Sequence, residues 1–109
     1  MFELKVGDVF RWRNYGVGNN FCSTRIWGYH PRKLFRRAKW ELETWIEPSG
    51  FPKFGSLYHH PQLTGKVSES DFSYITSYGI LAEVHRPTPE GLVQVWPEVM
   101  DAPKGDADE

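Results

Sequence analysis

The clearest alternation of hydrophobic and polar residues lies in the segment GILAEVHRPTPEGLVQVWP, over residues 79–97. On either side of the central RPTPEG the side chains alternate with a period of two, which predicts two strands that each bury one face. The two prolines of the centre fix φ and lack amide donors, and Gly91 is able to adopt a positive φ. We therefore predict a β-hairpin whose loop, over 86–91, is longer than two residues, and which ends at Pro97.

Earlier segments of the chain show the same alternation. It appears in FELKV over 2–6, in VFRWR over 9–13 and in FCSTRIWGYH over 21–30, and it predicts a strand in each. The intervening residues 14–20, NYGVGNN, are rich in glycine and asparagine and predict a loop. A turn of α-helix or 3₁₀-helix is predicted over 68–78, before the hairpin.

The segment over 31–47 fits two interpretations. As a helix, it would place six apolar residues within about 120° of arc, with Pro31 in the first turn. As a strand, residues 39–47 would alternate glutamates with larger or apolar side chains, and the tryptophans there favour β-structure. We predict a basic turn or short helix over 31–38, followed by a strand over 39–47.

The chain has 109 residues, enough for one domain with its own core. We assign this domain to 1–99, with an insert over about 19–66. Residues 100–109, MDAPKGDADE, are predicted to form a mobile acidic tail. The chain has no apolar run of about 18 residues and no signal-peptide pattern, so a cytoplasmic location without membrane contact is expected.

Three short motifs resemble parts of small SH3-like β-barrels. KVGDVF resembles the K-x-G-D-x-[VF] opening of such barrels, VSESDF is similar to their V-x-x-S-D-[LF] step, and GILAEVH with VQVWP resembles their closing hairpin. Together the motifs cover about a third of the chain. The resemblance, which extends to uncharacterised phage-encoded proteins, implies a mainly β fold: a small SH3-like barrel or a curled antiparallel sheet, with at most one or two short helices. It implies no particular activity, because this barrel hosts many functions.

Charge is distributed unevenly, although the net charge is −1. Residues 1–40 hold nine basic and two acidic residues, and residues 41–109 hold four basic and twelve acidic ones. Basic and aromatic side chains concentrate in 25–40, where phosphate groups would meet cations and bases would stack on exposed rings. The candidate binding residues are Arg25, Trp27, Arg32, Lys33, Arg36, Arg37, Lys39 and Trp40. The simpler alternative is a solvated face whose cations meet Glu41, Glu43 and Glu47.

No catalytic or metal-binding pattern stands out. His59 and His60 would point to opposite faces of a strand, and no H-x-H, H-E-x-x-H or paired cysteine is present. The only cysteine, Cys22, excludes an internal disulfide and is expected to be a small buried residue. We therefore expect no cofactor, no metal and no enzymatic activity.

Five tryptophans are too many for one small core to bury completely, so some are expected to be half exposed, as at interfaces. Our first hypothesis is a non-enzymatic protein-interaction or structural module, bound to a protein partner or to copies of itself, as in a phage assembly. The alternative is a nucleic-acid-binding accessory protein that uses the basic strip 25–40.

Overall fold

The computed structural model describes residues 3–15, 20–47 and 58–97. Within these ranges the chain forms seven strands, one short α-helix and one 3₁₀ turn. In chain order they are β1 (Val9–Asn14), β2 (Asn20–His30), β3 (Lys39–Glu47), β4 (Tyr58–His59), the 3₁₀ turn (Pro61–Leu63), β5 (Gly65–Ser68), α1 (Glu69–Ile75), β6 (Leu81–Thr88) and β7 (Gly91–Trp96).

All of these strands belong to one antiparallel sheet, in the order β4-β3-β2-β1-β6-β7. Two strands share the outer edge of β3. The first half of β3 pairs with β5, from Lys39 opposite Ser68 to Leu42 opposite Gly65, and the second half pairs with β4. The prediction of a mainly β protein with a short helix is therefore confirmed.

Over the described residues the sheet is open. A barrel would need every strand to pair on both sides, whereas β7 pairs only with β6 and the two-residue β4 pairs only with β3. The prediction of a closed SH3-like barrel is wrong, and the antiparallel-sheet alternative holds. The region predicted as an insert contributes β2, β3 and β4 to this same sheet.

The hydrophobic core lies on one face of the sheet, where α1 packs. Phe10 and Trp12 of β1 reach this face because they are two residues apart, and α1 adds Phe72 and Ile75. The ring of Phe10 meets that of Phe72 edge to face, with centroids 6.0 Å apart. Each fully buried large apolar side chain stabilises the fold by about 1.5–3 kcal/mol. The helix begins at Glu69, within the predicted segment 68–78, and Ser68 caps it, because the Ser68 hydroxyl accepts a hydrogen bond from the amide of Asp71.

A chain of hydrogen bonds crosses this core. Trp12 Nε1 donates to the Thr24 hydroxyl at 2.9 Å, and that hydroxyl lies 2.9 Å from the Thr44 hydroxyl. The Thr44 hydroxyl in turn donates to the carbonyl of Leu63 at 2.9 Å, so the Thr24 hydroxyl is the donor between the two threonines. The indole N–H of Trp12 and the hydroxyls of Thr24 and Thr44 thus all have partners, which removes the cost of burying them.

The ambiguous segment 31–47 contains a turn and then a strand, so the helical alternative is wrong. Leu42 and Ile46 face the core, as a period of two requires, and β3 has strands paired on both of its edges. Residues 31–38 form a turn closed by two backbone hydrogen bonds of 3.0 Å between Lys33 and Arg36. The sheet decides the outcome, because β3 pairs with β2 on one edge and with β4 and β5 on the other, and the strand places Leu42 and Ile46 on the core face at a period of two.

The hairpin is present, but its loop is shorter than predicted. Strand pairing continues to Thr88 opposite Gly91, which leaves a two-residue turn. The Thr88 hydroxyl accepts from the amide of Glu90 and donates to the carbonyl of Gly91, and Gly91 has a φ of +113°. These side-chain hydrogen bonds of Thr88 stabilise the turn, in which Pro89 has no amide proton to donate.

Two further predictions differ or fall outside the structure. The segment predicted as a strand over 2–6 forms no strand in its described part, where Gly7 turns the chain with a φ of +98° into β1. Most of the predicted glycine-rich loop, namely 16–19, lies outside the described residues, and so do 48–57 and the predicted acidic tail.

Candidate interaction surface at the basic turn

The basic turn, defined as residues 31–38, joins β2 to β3 at one end of the sheet. Pro31 follows the last residue of β2 and supplies no backbone donor, so the ladder stops there. Ala38 is buried and anchors the returning chain before Lys39 pairs with His30. Between these points every side chain is exposed. The sequence thus builds a short projecting turn on a rigid two-stranded base.

The cations of the turn are not neutralised by neighbouring acids within the described residues. Arg32, Lys33, Arg36 and Arg37 lie on the turn and Lys39 begins β3, and no ion pair involves any of them. The three glutamates of β3 have other partners. Glu41 contacts His30, Glu43 contacts Trp27 and His59, and Glu47 contacts Arg11. Within the described residues these cations are therefore not paired with Glu41, Glu43 or Glu47, although their side chains are exposed to solvent, as the solvated-face alternative expects.

The tip of the turn is apolar. Leu34 is 87% exposed and Phe35 is 94% exposed, between the backbone-paired residues Lys33 and Arg36. Two large apolar side chains in full contact with water are unfavourable in isolation, at about 25 cal/mol per Å². A patch of this kind, surrounded by cations, is typical of a contact surface.

A sixth cation joins this surface from a distant part of the chain. Lys66 of β5 lies opposite Glu41 of β3, and it lines a cavity of about 620 Å³ together with residues of the turn. The sheet contributes His30, Lys39 and Lys66 to this cavity. The turn contributes Pro31, Lys33, Phe35, Arg36 and Arg37. A second cavity, of about 600 Å³, lies beside Arg32 and Arg37 and includes the carboxylate-bearing Glu69.

Three of the predicted binding residues lie elsewhere. The guanidinium of Arg25 is 5.6 Å from the ring of Trp27, and both line a separate cavity beside Val6 and Leu92. Trp27 is 53% exposed, and its Nε1 donates to Glu43 at 3.0 Å. These two residues therefore lie apart from the basic turn.

Trp40, the third of them, is part of the core side of the sheet. It stacks on Phe72 with ring centroids 4.0 Å apart and an interplanar angle of 11°, and it also contacts Tyr29. Its half-buried ring is already occupied and offers no free face like that of Phe35. The expectation that some tryptophans are half exposed is confirmed, since only Trp12 is fully buried among the five.

Three residues of this surface are missing from the residues predicted to bind, namely Leu34, Phe35 and Lys66. Phe35 was not selected because an apolar residue in a strand or helix is expected to face the core rather than the solvent. Lys66 lies far from the basic cluster in sequence, and only the pairing of β5 with β3 brings it close. The one sequence signal that could have identified Phe35 is its position: it is an apolar residue flanked by charged residues, in a turn that begins with a proline.

The remaining polar clusters have structural explanations. Arg11 bridges two carboxylates, with its Nη2 3.2 Å from Glu47 and its Nη1 3.1 Å from Glu83. Burial raises the pKa of the Cys22 thiol to about 11, so it stays protonated at neutral pH and is a poor nucleophile. Among the described residues, no three His, Cys, Asp or Glu side chains cluster closely enough to hold a metal ion.

Comparison of the chain with family models, with curated proteins and with solved structures gave no match. The resemblance of its three motifs to SH3-like proteins stays a prediction from sequence. None of the helices in the described part of the chain is long and apolar enough to span a membrane.

Proposed function

We propose that this protein is a non-enzymatic interaction module that binds a protein partner through the basic turn. The observation that carries the proposal is the apolar tip, Leu34 and Phe35, projecting from a ring of cations without ion-pair partners among the described residues. Aromatic and arginine side chains dominate binding energy at protein interfaces, where they fill apolar pockets with polar rims. The partner would therefore offer an apolar pocket with an acidic rim.

Electrostatics and burial would play different roles in this contact. The cations would raise the association rate and orient the partner, an effect that salt weakens. Burial of the tip would provide the salt-resistant part of the affinity. The partner is either a different protein or the acidic surface of a second copy, since a head-to-tail contact uses opposite surfaces of one chain.

Site-specific photo-crosslinking tests this proposal directly. A photoreactive phenylalanine analogue is placed at Phe35, and the matched control carries it at Tyr78, which is 96% exposed and lies beyond α1. After irradiation in cells of the source organism, we expect a protein adduct from position 35 that survives nuclease treatment and is missing from position 78. Identical adducts from both positions, or none from position 35, would overturn the proposal.

Substitution of the tip separates the two contributions. We expect Leu34→Ser with Phe35→Ser to abolish the adduct formed by a crosslinker at Arg32, even at low salt. Charge reversal of Lys33 and Arg36 is expected to reduce its yield chiefly at low salt. Tyr78→Ser serves as the control for loss of an exposed aromatic ring.

A second candidate function is binding of single-stranded nucleic acid. It is favoured by the continuity of the cations across the turn and onto β5, where Lys66 extends the strip. Fluorescence anisotropy with labelled oligonucleotides tests it. Binding through these cations predicts an affinity that falls steeply with salt and is lost when Arg32, Lys33, Arg36 and Arg37 are changed to glutamate. A nuclease-sensitive adduct at position 35 would favour this candidate over the first.

A further inference from the structure

We propose that the cavity between the basic turn and β5, here called the Lys66 cavity, binds a nucleoside di- or triphosphate. Its lining holds five cations and no carboxylate: Lys33, Arg36, Arg37, Lys39 and Lys66. Its volume of about 620 Å³ falls within the usual range of small-molecule sites, about 300–1,000 Å³. This inference goes beyond the interaction module, because it assigns a small-molecule ligand to a neighbouring site.

The charges that line the cavity come from both of its sides. Lys39 and Lys66 stand on adjacent strands of the sheet, while Lys33, Arg36 and Arg37 belong to the turn. Phosphate oxygens placed between them would meet two lysine ammonium groups on the side of the sheet, and one lysine and two arginine side chains on the side of the turn. Guanidinium groups bind phosphate in a bidentate manner, and ammonium groups act as point charges. Clustered phosphates of a di- or triphosphate match this cation count better than a single phosphate.

The nearest carboxylate of the sheet is already engaged. Glu41 Oε1 lies 3.0 Å from His30 Nε2, and His30 rather than Glu41 lines the cavity. Glu41 is therefore paired with His30 and contributes no carboxylate to the lining of the cavity.

The aromatic ring of Phe35 explains why the ligand is a nucleotide rather than a free polyphosphate. Phe35 lines the cavity, yet its ring is almost fully exposed, so one face is available to a planar base. Bases stack on exposed aromatic rings without requiring a particular sequence or identity. A ligand with phosphates against the sheet and a base against Phe35 uses both features of the site.

The cavity on the other side of the turn lacks this chemistry. It contains Glu69, whose carboxylate opposes a polyanion, and it has no aromatic side chain in its lining. The Lys66 cavity is thus the one of the two that suits a phosphorylated ligand. Two residues also separate it from the tip contact: Lys66 lines the cavity without lying on the tip, and Leu34 lies on the tip without lining the cavity.

Isothermal titration calorimetry at low ionic strength tests the proposal, with ATP, tripolyphosphate and adenosine as separate probes. We expect ATP to bind, tripolyphosphate to bind at least about tenfold more weakly, and adenosine not to bind measurably. Equal affinity for ATP and tripolyphosphate would overturn the assignment of a nucleoside. The absence of ATP binding would overturn the site.

Variants then locate the binding. Lys66→Glu is expected to weaken ATP binding by at least about tenfold, whereas Lys5→Glu, an exposed lysine outside the cavity, is expected to leave it nearly unchanged. Equal losses in the two variants would reduce the effect to bulk charge and overturn the proposal. Leu34→Ser is expected to bind ATP normally while reducing the protein adduct formed by the crosslinker at Arg32, so the two functions fail separately. Thermal unfolding of each variant in the absence of ligand confirms that it is folded.

Discussion

Arg86 closes on Asp8 with two charge-assisted hydrogen bonds, from Nε to Oδ1 at 2.8 Å and from Nη2 to Oδ2 at 2.8 Å. Asp8 is only 1% exposed, and its Oδ2 also accepts from the amide of Lys5 at 2.9 Å. The hydrogen bond from the guanidinium to Asp8 raises the pKa of Arg86 further above its ordinary value. This ion pair joins the turn before β1 to strand β6, two segments that are far apart in the sequence.

Removal of Arg86 is expected to destabilise the fold strongly, because it leaves a buried carboxylate without its counter-ion. We expect Arg86→Ala to lower the free energy of unfolding by about 3 kcal/mol, and Arg86→Lys to lower it by less, since one ammonium retains the charge. Urea denaturation measures both. The double variant Asp8→Asn with Arg86→Ala is expected to recover part of the loss; equal stability of wild type and Arg86→Ala would contradict the prediction.

The buried hydrogen-bond chain through Thr24 gives a second prediction. Thr24→Val keeps the side-chain shape and removes the hydroxyl, which leaves Trp12 Nε1 without its acceptor in the core. We expect a loss of about 1–3 kcal/mol in the free energy of unfolding. Thr24→Ser, which retains the hydroxyl, is expected to lose less than Thr24→Val. If Thr24→Val were as stable as the wild type, this series of buried hydrogen bonds would not contribute to stability.

Much of the strand layout follows from local pattern, and the sheet topology does not. Alternation located β2, the last hairpin and the boundary at Lys39, because a half-buried strand must alternate wherever one face meets the core. Closure of the sheet depends on whether distant edges pair, and β5 with its four residues carries no signal that it will pair with β3 rather than with a later strand. The barrel was inferred from three local motifs, none of which specifies an edge.

The candidate site was predictable in part for the same reason. The density of cations over 32–39 located the basic turn directly. Trp40 was expected beside them, but period-two alternation sends its side chain to the opposite face from that of Lys39, onto Phe72. Lys66 joins the surface only through strand pairing. A run of basic residues in the sequence therefore predicts where charge concentrates. It does not predict which side chains lie on the same surface of the fold.

Two glycines are expected to respond in opposite ways to substitution by alanine. Gly91 has a φ of +113°, which is strained for any residue with a Cβ, although no atom would clash with one there. We expect Gly91→Ala to lower the free energy of unfolding by about 1–2 kcal/mol through backbone strain.

Gly28, inside β2, has no such φ, and a Cβ there would meet Glu41 Oε1 at an ordinary 3.8 Å. Gly28→Ala is therefore expected to be neutral or slightly stabilising, by up to about 1 kcal/mol. Thermal or urea unfolding of both variants checks this, and a similar loss in each would contradict the assignment to backbone strain.

The buried thiol of Cys22 makes stability depend on pH in the alkaline range. Burial raises its pKa from 9.0 to about 11, with a smaller opposing effect from the Asn14 hydrogen bond and a further increase from the charge of Glu47. Between these values the unfolded chain releases the thiol proton while the folded chain keeps it, so this stabilising contribution is complete below pH 9 and is lost as pH rises towards 11. The free energy of unfolding falls by about 2 kcal/mol over this range.

We expect Cys22→Ala to remove this component of the pH dependence, while the cavity it creates lowers stability equally at every pH. Urea unfolding of both proteins at about pH 8 and about pH 10.5, in the presence of a reducing agent, measures the difference in slope; parallel pH profiles would mean that the native thiol ionises as readily as the unfolded one.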